Sequence, residues 1–239
     1  MINQKSQEQS LSSGFILINK PVGPTSHTIV NKLRRITNIR KIGHAGTLDP
    51  FADGLLILAI GRDSTKKISQ FVKLDKEYVA DLILGATTDT FDNEGVITQH
   101  ITANKQQAPT EKQVLEVLNN FIGKQEQIPP MFSAKKVQGQ KLYELARKGI
   151  EIERQPCSIE IFSIILNEYT YPHLRITVHC STGTYIRSLG HDIGQKLGCG
   201  AYLNKLSRTK IGKFDIKDSV TLEKLNSDNW EEYIFNPGE

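Results

Sequence analysis

The apolar residues of this chain change period several times, and never in the regular strand–helix–strand order that a doubly wound sheet requires. Residues 15–18 read as a short buried strand, closed by the turn Lys20-Pro21-Val22-Gly23-Pro24. Thr25 or Ser26 can then cap a helix whose apolar face is Ile29, Leu33 and Ile36, with Lys32, Arg34 and Arg35 on its other side. An unbroken apolar run predicts a strand at 55–60, and a helical segment follows at 64–72. From 77 to 84 the pattern alternates, with Tyr78, Ala80, Leu82 and Leu84 on one face. Thr110-Glu111-Lys112-Gln113 has the form of a capping box ahead of a helix that buries Val114, Leu118 and Phe121. Residues 124–139 read as irregular, and a short helix from Lys141 ends at Gly149. Strands at 158–166 and 174–180 come in direct succession. A helix from near Thr184 buries Ile186, Leu189, Ile193 and Leu197 and stops at Gly198. A strand is expected near 211–214, with weak helical signals around Leu222 and Trp230. The fold class is therefore α+β with a largely antiparallel sheet.

At 239 residues, 38% hydrophobic and 23% charged, the chain can build one large core or two modest ones without staples. Residues 1–12, rich in Ser, Gln and Asn, are expected to form a disordered arm. No apolar run approaches the ~20 residues of a membrane span, and the N-terminus lacks the charged-then-apolar form of a signal sequence. Cys157, Cys180 and Cys199 show no paired spacing, which fits a reducing cytoplasm better than a disulfide framework or a zinc site.

The net charge of +4 says little, but its distribution says more. No acidic residue lies between Glu8 and Asp49, while Lys20, Lys32, Arg34, Arg35, Arg40 and Lys41 all fall in that interval. Further basic clusters span 124–154 and 205–217, and the tail from Asp218 onward is acidic. Such segregation is the footprint of a surface that meets a phosphate backbone.

Asp49 ends this acid-free run inside Gly43-His44-Ala45-Gly46-Thr47-Leu48-Asp49-Pro50. Asp-Pro can simply start a turn. Alternatively, the two glycines let the backbone approach a ligand, and the loop holds His44 and Asp49 at a pocket mouth. His44 alone reads as structural or as a base, and no second ligand stands at metal-binding spacing. His173 and His179 have no acidic neighbour in sequence and read as surface or core residues. In Ser181-Thr182-Gly183-Thr184-Tyr185-Ile186-Arg187 a strand runs through glycine into a helix N-terminus, a natural anion site. Arg187 falls beside an apolar face and needs an anionic partner: a structural carboxylate, or Asp49 together with a substrate phosphate. A guanidinium beside Asp49 would favour the ionised nucleophile. Tyr78 is either a core aromatic or a platform for an unstacked base.

Several motifs then occur in order: Asn19-Lys20-Pro21-Val22-Gly23-Pro24-Thr25-Ser26, the 43–50 loop, Lys76-Glu77-Tyr78, Pro130-Met131-Phe132-Ser133-Ala134-Lys135-Lys136, Tyr143-Glu144-Leu145-Ala146-Arg147-Lys148-Gly149, Gly183-Thr184-Tyr185-Ile186-Arg187 and Leu206-Ser207-Arg208-Thr209. Together they resemble the TruB-type tRNA pseudouridine synthases over residues 14–215.

The resemblance implies a pseudouridine-synthase fold, a central mixed and mainly antiparallel sheet flanked by helices and loops. It also implies isomerisation of the uridine at position 55 in the tRNA T loop. Asp49 would be the catalytic aspartate and Tyr78 would stack on the flipped uracil. Arg187 would pair with Asp49 and organise the backbone phosphate, and His44 would help displace the target base. Lys20 and Pro21 would support the active-site floor, and Leu206 would line the uracil pocket. Lys135, Lys136, Arg147 and Arg208 would bind RNA, the first three from a tRNA-gripping insertion at 124–154. No cofactor and no metal are implied, and the partner would be the T stem-loop, bound by a monomer. The catalytic domain is expected at 13–217, followed by a short acidic extension at 218–239 in place of a full PUA domain. Asp53, a second carboxylate four residues after Asp49, is expected to face solvent. The rival reading is a tRNA-binding or tRNA-folding protein whose catalysis is secondary or lost.

Overall fold

The computed structural model describes residues 13–100, 108–133, 135–137 and 139–237, so the arm expected at 1–12 lies outside the described residues. The chain divides into two compact units, one running to Leu74 and resuming at Arg208, the other Asp75–Ser207. Among the described residues, no helix is long and apolar enough to cross a membrane.

In the first unit the strand Asp53–Ile60 lies antiparallel to Gly14–Lys20, with Gly14 opposite Ile60 and Lys20 opposite Gly54. Its other edge takes the short strand Ile42–His44, with His44 opposite Leu58. Residues 55–60 do not alternate because both faces are buried. Leu56, Leu58 and Ile60 pack with Ile29, Val30 and Leu33 of the helix Ser26–Thr37. Leu55, Ile57 and Ala59 pack on the opposite face with Phe15, Ala45, Phe71 and Ile211. The helical segment expected at 64–72 is two short helices, Arg62–Lys67 and Ser69–Val72, broken at Ile68.

The acidic C-terminal segment contributes to this same core. Val220, Leu222, Leu225 and Trp230 are buried beside Ile16, Ile18 and Leu33. The backbone of Val220 bonds Leu17 and Asn19, and Phe235 exchanges both backbone hydrogen bonds with Phe15. The weak signals near Leu222 and Trp230 are 3₁₀ turns, Leu222–Lys224 and Trp230–Tyr233.

In the second unit, Lys76–Leu84, His173–Cys180, Cys157–Thr170 and Gly123–Gln127 pair in that order, each antiparallel to the next. The alternation read at 77–84 holds: Tyr78, Ala80, Leu82 and Leu84 are all buried. Thr110 forms both halves of a capping box with Gln113 and opens the helix Glu111–Asn119. The helix near Thr184 spans Ile186–Lys196. Part of the region read as irregular, 124–139, is the strand Gly123–Gln127 against Cys157–Thr170.

The strand near 211–214 is in fact the eleven-residue Ala201–Ile211, after which Phe214–Asp215 turns back to pair antiparallel with its end, Phe214 opposite Ile211. Its buried positions run Ala201, Leu203, Leu206, Arg208 and Ile211, so the two-residue period slips twice and one inward position is an arginine. That is why periodicity alone does not find it.

Candidate active site

The loop that bears Asp49 is held by polar side chains on both sides of the carboxylate. Thr25 caps the helix Ser26–Thr37 by accepting from the Thr28 backbone N–H at 3.1 Å. This leaves the Ser26 hydroxyl for another task. Ser26 Oγ accepts from the Leu48 N–H at 2.9 Å and donates to the Leu48 carbonyl at 3.1 Å, so both backbone groups before Asp49 are satisfied by one buried side chain.

On the other side of Asp49, Lys20 donates from Nζ to the carbonyls of Pro21 and Pro24, each at 2.9 Å, and of Pro50 at 3.4 Å. The Gly23 N–H also donates to the Pro50 carbonyl, at 2.8 Å. Lys20 is fully buried, and proline carbonyls compensate the ammonium because a buried charge without acceptors is untenable. Lys20 thus ties the turn at Pro21 and Pro24 to Pro50, the residue that follows Asp49. Asp49 itself is half-buried.

Arg208 completes the support and corrects an expectation. The resemblance reading placed it among the RNA-binding cations, but it is 1% exposed. Its Nε donates to the Leu55 carbonyl at 2.8 Å, Nη2 to Gly46 at 3.3 Å and Nη1 to Thr47 at 3.5 Å. A guanidinium sunk among three carbonyls presents no face to RNA; it braces the loop. The close approach requires Gly54, whose φ is 109° and where a Cβ would lie 2.4 Å from the Arg208 carbonyl oxygen.

His44 is half-buried at the head of the loop. Burial is the main cause of its lowered pKa, opposed by a hydrogen bond to the Gly46 backbone, with Arg208 and His27 lowering it further. It is therefore a neutral imidazole at pH 7. Asp53 is half-buried at the start of its strand, rather than fully facing solvent.

The second unit holds its own buried polar constellation. Tyr78 is buried on Lys76–Leu84, opposite Val178. Arg187, in the first turn of Ile186–Lys196, is 4% exposed, so it is more deeply buried than its sequence position suggested. It pairs with Asp92 at 3.3 Å and donates to the carbonyls of Thr90, at 3.0 Å, and Phe132. Asp92 thus gives the buried Arg187 one anionic partner. Its signal was the buried arginine's need for an anion. Phe91, at a left-handed φ of 63°, stacks on His191 with ring centroids 4.0 Å apart and fixes the backbone next to Asp92.

The start of the same helix is anchored by Gln127, buried like Arg187. Gln127 Oε1 accepts from the Tyr185 N–H at 2.8 Å and Nε2 donates to the Tyr185 carbonyl at 3.0 Å. Nothing in the sequence singled this glutamine out. Leu206 is buried on Ala201–Ile211. Lys135 is half-buried and its ammonium lies 2.6 Å from Cys157 Sγ. Arg147 is exposed, with its guanidinium over the Tyr143 ring at 5.5 Å. The backbone of Lys136 forms the short strand Lys136–Val137, and its side chain lies outside what is described.

The chain as a whole is similar to known proteins. Over 89% of its length the chain superposes on a solved chain of a Cbf5-Nop10-Gar1 complex, with a TM-score of 0.69 and 29% identity. It spans about half, 53%, of that longer chain. Among curated relatives, a tRNA pseudouridine synthase B of Protochlamydia amoebophila is 50% identical over 214 residues, 90% of this chain and 80% of the relative. One from Chlamydia abortus is 46% identical over 210 residues, 88% and 87% of the respective lengths. The fold is that of the pseudouridine synthases. The model of the TruB family pseudouridylate synthase N-terminal domain matches residues 34–186, and that of the tRNA pseudouridylate synthase B C-terminal domain matches 187–236. The chain belongs to the TruB family.

Proposed function

We propose that this chain isomerises the uridine at position 55 in the T loop of tRNA to pseudouridine, with Asp49 as the catalytic carboxylate. The observation that carries the reading is the bracing of the 43–50 loop by Ser26, Lys20 and Arg208, which holds one half-buried carboxylate in a fixed backbone frame. The reaction needs such a frame. The bond from ribose C1′ to uracil N1 breaks, the base turns, and C1′ bonds to C5. The C5 proton leaves and N1 gains one, so no electrons are lost or gained. Unstacking the target costs a few kcal/mol, which phosphate and stacking contacts offset.

Tyr78 would stack on the flipped uracil, Leu206 would line its pocket, and neutral His44 would help displace the base from the loop. Lys135, Lys136 and Arg147 belong to a segment, 124–154, that would grip the T stem-loop. The three free thiols support a reducing, cytoplasmic setting, and the chain would act as a monomer.

The test is unmodified tRNA transcript incubated with wild type and with Asp49→Asn, followed by pseudouridine mapping. Conversion at position 55 by wild type alone is expected. Uridine retained at that position with wild type, or binding without turnover, would favour the RNA-binding alternative. Full turnover by Asp49→Asn would overturn the role of the carboxylate.

A further inference from the structure

We propose that the outer face of the helix Ser26–Thr37, continued by Arg40 and Lys41, is a surface for RNA phosphates, in addition to the 124–154 segment. The inference rests on the proposed RNA substrate.

His27, Lys32, Arg35, Arg40 and Lys41 are all exposed, and no carboxylate lies anywhere between Glu8 and Asp49. Among the described residues, Arg35, Arg40 and Lys41 make no ion pair. Helix electrostatics do not account for this arrangement. Cations in the last turn do suit the helix dipole, which covers Arg34 and Arg35. The same dipole favours an acid in the first turn, and the helix has none there. Arg40 and Lys41 lie beyond the C-cap, Asn38, where the helix has ended. A stretch that carries cations and no carboxylate of its own favours contact with a polyanion, because a carboxylate beside a phosphate is locally repulsive.

The two flanks of the helix differ. On one, Arg34 is pinned to the Asn31 side chain at 3.0 Å and the Ile42 carbonyl at 3.4 Å, and His27 is within electrostatic reach of His44. That flank leads into the Asp49 loop. On the other, Lys32 lies within electrostatic reach of Glu223 in the acidic C-terminal segment. The phosphate track therefore runs from the Asp49 loop along Arg35 to Arg40 and Lys41, and Lys32 sits at its excluded edge.

The experiment is fluorescence anisotropy of an unmodified T stem-loop hairpin across a potassium chloride series. It compares wild type, the triple variant Arg35→Ala/Arg40→Ala/Lys41→Ala, and Lys32→Ala. The triple variant is expected to raise Kd about tenfold or more at low salt and to reduce the slope of log affinity against log salt by about 2–3. Its single-turnover rate at saturating protein should fall less than its affinity, because among the described residues none of the three side chains hydrogen-bonds the 43–50 loop. Lys32→Ala should change Kd by less than about threefold. Because all three substitutions are on exposed side chains, folding is retained, and Arg35→Lys/Arg40→Lys should keep the slope. Unchanged Kd and slope in the triple variant, or an equal loss from Lys32→Ala, would overturn the proposal. A wild type that binds the hairpin but leaves its uridine unconverted would sink the functional reading alone.

Discussion

Arg208 reaches back to Gly46, its Nη2 donating to the glycine carbonyl at 3.3 Å across 162 positions of sequence. With the bonds to Thr47 and Leu55, one side chain ties the loop before Asp49 to the strand that follows it.

Arg208→Ala leaves three carbonyls without their donor in the interior. Hydrogen bonds to charged groups are worth about 1.5–3 kcal/mol each, and partial relaxation brings the expected loss of stability to about 3 kcal/mol. Single-turnover rate should fall while affinity for the hairpin holds. Arg208→Lys should recover only part of the rate, since one ammonium cannot span the three acceptors. A salt-sensitive loss of RNA affinity at unchanged stability would instead restore the RNA-binding role.

Thr25 and Ser26 are adjacent hydroxyls with different work. Thr25→Ala removes a cap and should cost about 1 kcal/mol in urea unfolding, with little effect on turnover. Ser26→Ala leaves both Leu48 backbone groups unsatisfied in a buried site, costing about 1–3 kcal/mol, and should lower kcat with KM nearly unchanged. Equal effects of the two substitutions on kcat would show that the Leu48 contact does not position Asp49.

Asp92 neutralises Arg187, and each side chain is 5% exposed. Removing one partner of a buried pair strands the other, so Asp92→Ala should destabilise by about 3 kcal/mol, near the low end for such pairs because Thr90 and Phe132 also accept from the guanidinium. Chemical denaturation measures this. A loss below about 0.5 kcal/mol would place the main counter-charge of Arg187 elsewhere.

Burial raises the Asp192 carboxyl from its ordinary 3.8 to about 6. Between those values the folded state keeps a proton that the unfolded chain has released, so this group makes stability fall as pH rises through the window. Asp192→Asn should raise the melting temperature at pH 7, with the gain vanishing below about pH 4. His44 and His191 act in the opposite sense. Burial lowers both, so their contribution is present above the ordinary 6.5 and is lost as pH falls from there through their lowered folded-state values. A gain from Asp192→Asn that is the same at all pH values would mean it comes from packing, not from the buried charge.

Arg147→Ala, and Lys135→Ala in its own variant, should weaken hairpin binding in a salt-dependent way. The salt slope should drop by about 1 for each cation that engages a phosphate. Arg147 is exposed and should show the larger effect; Lys135, against Cys157, should show the smaller. Affinity that is unchanged at every salt concentration would remove the 124–154 segment from the RNA interface.

Much of this architecture was open to local reading. The Thr25 cap and the Thr110–Gln113 capping box were visible because their partners lie three residues away. The alternation from Tyr78 to Leu84 was visible because a half-buried strand repeats every two residues. The ordered motifs pointed to the family and to Asp49. The sequence could not show which partners buried charges would find. Lys20 needed proline carbonyls, Arg187 needed Asp92 and Arg208 needed Gly46 and Thr47, and the last two of these pairings join residues about 90 to 160 positions apart. The strand Ala201–Ile211 was hidden for the same reason, because its inward arginine looks like a surface residue until the carbonyls that receive it are in place. Propensity and capping act over a turn or two of chain, and they determined the elements. Satisfying buried charge is a property of the packed whole, so only the tertiary structure decided that Arg208 braces the Asp49 loop.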